Sequence, residues 1–188
     1  SIAITGFDGI TPANGWRIAH LTLRGPNSAS SGNSGIDGSA NDVVVEDSII
    51  DQWGDHGINT GGSSLRWKIL NNIVRNNIND GVLIAQGGTD CVIEGNTVTG
   101  NGANGIDLGG ASRCVVANNV VRSNGGSGGA VDKWGILVSG ISSVPAADAN
   151  YNVISGNVVS ANGAQGIIVR AETGRTANYN LIKGNISI

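Results

Sequence analysis

Methionine is absent from this chain, phenylalanine occurs once, proline three times and cysteine twice in 188 residues. Two cysteines do not make a disulfide framework. Charged residues are only 13% of the chain and the net charge is -3, which argues against the basic stripe of a nucleic-acid binder. No apolar run reaches membrane-spanning length, so no membrane partner is expected. Helical periodicity is missing as well. Apolar residues come in short runs, each stopped by Gly, Asn or Asp within a few positions.

What the chain does have is glycine, 31 residues of it, and a repeat. The segments VVEDSII (44–50), KILNNIV (68–74), VIEGNTV (92–98), VVANNVV (115–121), VISGNVV (153–159) and LIKGNIS (181–187) align without gaps. Asn72, Asn96, Asn119, Asn157 and Asn185 then share one column, with Ser48 ahead of them. A second column reads Gly-Ile or Gly-Val at Gly35, Gly57, Gly81, Gly105, Gly135 and Gly166. The period is about 24 residues, interrupted by insertions around 125–133 and 142–150. A period of that length with three short strands per repeat specifies a solenoid. The fold expected is all-β: a parallel β-helix of six to seven rungs, one domain over 1–188.

Rungs stack about 4.8 Å apart, so a column in the alignment becomes a ladder in space. At a sharp corner, Asn tolerates the left-handed conformation, and its amide can bond to the rungs on either side. Glycine suits a corner that admits no side chain. Ile93, Val98, Ile106 and Leu108 are expected to point inward. Cys91 and Cys114 fall on successive rungs, in register, and are expected to be buried free thiols, since parallel side chains do not readily reach disulfide torsion. Trp16 and Trp67 align with them and read as core or edge packing.

The motif I-x-G-N-x-[IV] followed by G-[IV]-x-[LV] covers residues 16 to 188 and resembles the right-handed parallel β-helix proteins of the pectin-lyase-like superfamily. That superfamily includes polysaccharide lyases, glycoside hydrolases, mannuronan epimerases, phage tailspikes and adhesins. The resemblance implies that the strand carrying G-[IV]-x-[LV], with the loop before it, forms the substrate cleft. It also implies a polysaccharide partner and a secreted, cell-surface or virion-surface location. Mannuronan epimerases carry Gly-aromatic-Asp-Pro-His at the catalytic position. Here the segment is GIDGS: Asp37 matches, but Gly38 and Ser39 stand where those enzymes have Pro and His.

On the expected cleft strand the outward column is Asp37, Asn59, Leu83, Asp107, Leu137 and Ile168. The residue before each glycine gives Ser34, His56, Asp80, Asn104, Trp134 and Gln165. His56 and Asp80 are on adjacent rungs, within hydrogen-bond reach if both face one way. A carboxylate beside an imidazole orients the ring and raises its pKa, which suits acid/base work. The catalytic reading therefore names Asp37, His56 and Asp80, with Trp53, Asp55, Asn59, Asp107 and Trp134 as substrate-binding residues. The competing reading makes His56 and Asp80 turn residues in a solvated loop. Trp53 and Trp134 read either as platforms for sugar rings or as covers over apolar strand ends. Asp37 and Asp107 are three rungs apart, roughly 14 Å, too far for a glycosidase pair.

Two functions remain. One is a polysaccharide-binding domain with lyase, epimerase or hydrolase activity. The other is a non-catalytic shaft, spacer or adhesin segment. No metal site and no cofactor are expected; calcium is left open, with no motif supporting it. Apolar SIAITGF at one end and LIKGNISI, in mid-repeat, at the other lead to the expectation of flanking chain or subunits at both solenoid ends.

Overall fold

The computed structural model describes residues 2–3, 8–26, 32–126, 133–143 and 145–188. Most of the insertion around 125–133 and of the first seven residues lies outside them. Every strand-to-strand ladder is parallel, and the strands form three sheets. Each turn of the solenoid visits sheet 3, then sheet 1, then sheet 2, for about six turns. Sheet 3 runs from Arg17–Ala19 to Leu181–Lys183, and sheet 1 from Ile2–Ala3 to Ile186–Ser187. Sheet 2 comprises Ile36–Asp37, Ile58–Asn59, Val82–Ile84, Ile106–Gly109, Ile136–Gly140 and Ile167–Ala171. No helix occurs among the described residues.

The strands are two to five residues long because corners interrupt them, and each corner has one recipe. A residue with left-handed φ turns the chain, and the next residue points inward. Between sheets 3 and 1 the left-handed residues include Asp47 (φ 48), Asn71 (φ 55), Gly95 (φ 69) and Asn118 (φ 56). The ladder residues Ser48, Asn72, Asn96 and Asn119 follow them and are at most 2% exposed. This corrects the expectation that the ladder asparagine itself is left-handed. The left-handed residue sends its side chain outward, whereas the ladder residue must face the interior to reach both neighbouring rungs.

Asn96 shows the full set of bonds. Its Oδ1 accepts the backbone N–H of Asn72 (2.8 Å) and the Asn72 side-chain amide (3.1 Å). Its Nδ2 donates to Ile69 O (2.8 Å), Glu94 O (3.1 Å) and Asn119 Oδ1 (3.0 Å). A buried amide left without such partners would cost about 1–3 kcal/mol.

A second ladder, not anticipated from the sequence, runs along the corner after sheet 1. Asn77, Asn101, Asn124 and Asn162 bond rung to rung in the same way, each after a left-handed residue such as Asn76 or Gly100. The third corner is mixed. Its inward residues are Val43, Trp67, Cys91, Cys114, Asn152 and Asn180, following the left-handed Asp42, Arg66, Asp90, Arg113, Tyr151 and Tyr179.

Cys91 and Cys114 are buried and free, as expected. Their thiols donate to Thr89 O and Ser112 O, each at 3.4 Å. Contact with Cys91, together with burial, pushes the Cys114 thiol up. Trp67 is core, its Nε1 donating to Ala40 O (2.7 Å), while Trp16 at the first rung is 49% exposed.

Columns of branched residues fill the interior. Val45, Ile69, Ile93, Val116 and Ile154 stack from sheet 3, and Ile50, Val74, Val98, Val121 and Val159 from sheet 1. Ile58, Val82, Ile106 and Ile136 stack from sheet 2. Each such side chain contributes about 1.5–3 kcal/mol by burial. The glycine column makes this packing possible through space, not through φ. A Cβ on Gly81 would lie 2.4 Å from Val98 Cγ1 and 2.7 Å from Gly105 O.

Candidate functional site

Sheet 2 exposes its outward column because alternate residues of a strand face opposite ways. In register, Asp37 pairs with Asn59, Asn59 with Leu83, Leu83 with Asp107, Asp107 with Leu137 and Leu137 with Ile168. The residues just before the glycines form a second polar column beside it. There Asp80 Oδ1 accepts the Asn104 backbone N–H (2.8 Å), and Asn104 Oδ1 accepts the Trp134 backbone N–H (3.0 Å). Trp134 Nε1 then donates to Gln165 Oε1 (2.6 Å).

His56 and Asp80 meet in this column. His56 is 8% exposed and Asp80 6%. The His56 Nδ1 lies 3.2 Å from Asp80 Oδ2, and Nε2 lies 3.4 Å from Asp55 Oδ1. The Asp80 backbone N–H also points at Nδ1, at 3.3 Å. Burial works against the charged ring. The bond to Asp80 and the charges of Asp80, Asp55 and Asp37 outweigh it and lift the pKa above the ordinary imidazole value. Asp55 is held in turn by the Asn79 side-chain amide (3.1 Å).

Asp37 is half-buried and accepts from Asn59 Nδ2 (3.3 Å). Burial, and then the charge of Asp8, raise its pKa. Asn59 Oδ1 accepts the Gly61 N–H (3.0 Å), so this asparagine braces the loop as well as the carboxylate.

The two tryptophans need correction as sugar platforms. Trp53 is 0% exposed. It follows left-handed Gln52, in the inward position that Asn77 fills one rung later, and its ring packs against Gly9, Gly25 and Gly35. It cannot sit at the rim of a cleft. Trp134 is 9% exposed, and the Arg170 guanidinium lies 4.5 Å from its ring centroid, over the face a sugar would need.

On sheet 2 there is a cavity of about 240 Å³. Asp80, Leu83, Gln86, Asp107, Leu137, Ser139, Arg170 and Glu172 are among its lining residues, whereas His56, Asp37, Asp55, Asn59, Trp53 and Trp134 are not. One wall is the segment after Ile136–Gly140, where Ile141 and Ala147 exchange backbone hydrogen bonds (2.8 and 3.0 Å). Glu172 pins it by accepting from the Ser142 N–H and hydroxyl, both at 2.7 Å. Asn104, buried and outside the lining, donates from Nδ2 to Asp107 Oδ2 (3.1 Å).

Glu172, Ser139 and Gln86 are not marked by any motif of the sequence, which offers Arg170 only as one of two bases, with Lys133, near the cleft strand. A signal for Ser139 and Arg170 existed: Gly109, Ser139 and Arg170 share a register two residues beyond Asp107, Leu137 and Ile168, so they also face outward. Among the described residues no three His, Cys, Asp or Glu side chains gather as metal ligands.

A family model described as right handed beta helix region matches residues 14–121 and 56–187. Among solved structures, a double mutant of the periplasmic alginate epimerase AlgG superposes with TM-score 0.69 and 14% identity, over 99% of this chain and 49% of that one. The A-module of mannuronan C-5 epimerase AlgE6 from Azotobacter vinelandii gives 0.60 and 15%, over 99% and 57%. Pectate lyase Pel9A gives 0.58 and 15%, over 81% and 49%. The chain thus spans about half the length of these structures, and at such identity the likeness is one of fold. No curated protein sequence matches the chain.

Proposed function

The chain belongs to the right-handed β-helix family, and from that premise we propose that it is a secreted or surface domain that binds a linear polysaccharide along sheet 2. The observation that carries the reading is the cavity on the outer face of that sheet, where three carboxyl groups, one amide, a guanidinium and apolar side chains converge in one concave site. The rung-by-rung succession of outward groups suits a polymer, which presents the same chemistry at regular intervals. Neighbours of the same fold named as alginate epimerases and a pectate lyase support a carbohydrate ligand. Asp80 belongs both to the cavity and to the His56 pair. His56, behind it and outside the lining, acts as a positioning residue.

The test is binding to a panel of neutral and uronic polysaccharides by affinity electrophoresis and calorimetry. Retardation by at least one polymer is expected, weakened by Asp107→Ala with the melting midpoint preserved. Binding to none of them would defeat the reading.

One observation favours the structural alternative, a spacer or adhesin segment. Asp80 and Asn104 both spend a side-chain oxygen on the backbone N–H of the next rung, which is a scaffold role. A domain that binds no glycan but melts lower as Asp80→Ala would fit that alternative.

A further inference from the structure

The left-handed residues at the corner between sheets 2 and 3 pair two by two along the solenoid, away from the cavity. Asp42 pairs with Arg66, its carboxylate accepting from Nε (2.6 Å) and Nη2 (2.7 Å). Asp90 pairs with Arg113 in the same way, at 2.8 and 3.0 Å. The next two members of the column are Tyr151 and Tyr179, whose rings stack with centroids 4.9 Å apart and planes 9° from parallel. They are the only tyrosines of the chain. Burial does not account for them: Tyr151 is 57% exposed and Tyr179 74%. Left-handed φ is also uncommon for a bulky side chain, and here it occurs on two adjacent rungs, at 60° and 57°. We infer that Tyr151 and Tyr179 form an oxidative cross-linking site, at which a haem peroxidase with hydrogen peroxide joins the two rings and ties adjacent turns of the solenoid together.

The rungs hold the pair in register. The Tyr151 N–H donates to Asn178 O (3.1 Å), and the Asn152 N–H to Asn180 Oδ1 (2.8 Å). The two backbones therefore run about 4.8 Å apart at this point. Stacking sets ring carbons of one tyrosine opposite ring carbons of the other. Exposure lets an oxidant reach both phenols and lets the rings turn as the bond forms. Neither thiol competes, because Cys91 and Cys114 are both 0% exposed. Each phenol gives one electron and one proton to the peroxidase and becomes a phenoxyl radical, with spin on the carbon ortho to oxygen. The two ortho carbons join in a C–C bond. Each then loses its hydrogen as a proton while its ring oxygen regains one, so both phenols are restored. The pair has lost two electrons and two protons, and one hydrogen peroxide takes them up to become two waters.

The position gives the bond a purpose. Stability in a solenoid is carried by contacts between neighbouring turns, and a turn with a neighbour on one side opens most readily. Among the described residues the turn carrying Tyr179 is such a turn, and its Leu181, Ile182 and Ile186 are 48%, 45% and 55% exposed. It is held to the turn before it by the Leu181 N–H on Asn152 O and the Ile186 N–H on Asn157 O, both at 2.8 Å. The cross-link closes one full turn of chain into a loop, so that turn can no longer drift away when these hydrogen bonds break. The Asp–Arg pairs of the same column clamp earlier turns by charge, which salt weakens; a C–C bond is indifferent to salt.

The experiment treats dilute protein with a haem peroxidase and one equivalent of hydrogen peroxide. It reads dityrosine fluorescence across a denaturing gel, peptide masses and amide exchange. Dityrosine emission is expected in the monomer band, with one linked peptide pair, carrying Tyr151 and Tyr179, lighter by two hydrogens. Exchange at Leu181 and Ile186 should slow by about 10-fold or more in the linked protein. Tyr151→Phe and Tyr179→Phe keep a stacked ring but lack the phenol, so each should lose the monomer emission at an unchanged melting midpoint. No emission, or emission confined to covalent dimers, would overturn the inference. So would oxidation of Trp16, the 49% exposed competitor, with both tyrosines intact. Unchanged exchange in the linked protein would overturn the role of the bond in holding the turn.

Discussion

Replacing Asn96 with alanine removes the middle of the first ladder. Two buried donors of Asn72, its backbone N–H and its side-chain amide, lose their acceptor. On the other side Ile69 O and Asn119 Oδ1 lose a donor. Each stranded donor costs about 1–3 kcal/mol, and water entering the space vacated by the amide recovers part of the loss. The expected net is about 2–4 kcal/mol. For a chain of this size each kcal/mol lowers the melting midpoint by about 2–4 °C, so a drop on the order of 4–16 °C should be seen. Asn96→Ser provides an internal control. Ser48 already occupies the same column, and its Oγ accepts the Leu21 N–H (3.1 Å). Serine at 96 should therefore keep one acceptor and recover about half of the loss. Thermal and urea unfolding measure the total, and amide exchange at Asn72 reports the local opening. An unchanged midpoint for Asn96→Ala, or serine as damaging as alanine, would refute the ladder energetics.

Gly81→Ala places a methyl 2.4 Å from Val98 Cγ1 and 2.7 Å from the Gly105 carbonyl, so a loss of about 3 kcal/mol or failure to fold is expected by urea titration. Asn101→Ala tests the second ladder. Its Oδ1 accepts both the backbone N–H and the side-chain amide of Asn77, so its midpoint should fall as far as that of Asn96→Ala. His56 gives a pH signature. Its folded pKa is raised above the ordinary 6.5, so the folded state holds the proton more tightly. That contribution is fully present below the unfolded value and is lost as pH rises through the folded value. Stability measured by urea should decline across that window, and His56→Ala should flatten the decline. An imidazole NMR titration with a midpoint below the ordinary value would contradict the Asp80 and Asp55 contacts.

The sequence determined the architecture because a solenoid turns the chain period into spatial contact. Residues about 24 apart stack, so Asn72, Asn96 and Asn119 can be read as a ladder from their alignment, and Ile106, Asp107 and Leu108 as in, out, in. The second ladder was equally legible: Asn77, Asn101, Asn124 and Asn162 each lie five residues after a member of the first. The two columns run in parallel through the same repeat. Rung stacking also brought His56 to Asp80. What only the tertiary structure decided lies where the period fails or where facing depends on one dihedral. Trp53 looked like a loop residue; left-handed Gln52 before it turns its ring into the core. Trp134 looked open, and Arg170 from the next rung covers it. The cavity itself depends on the second insertion folding back through Ile141 and Ala147 and on Glu172 holding it there. Those contacts join a non-repeating segment to a repeating one, and no period in the sequence encodes the distance between them.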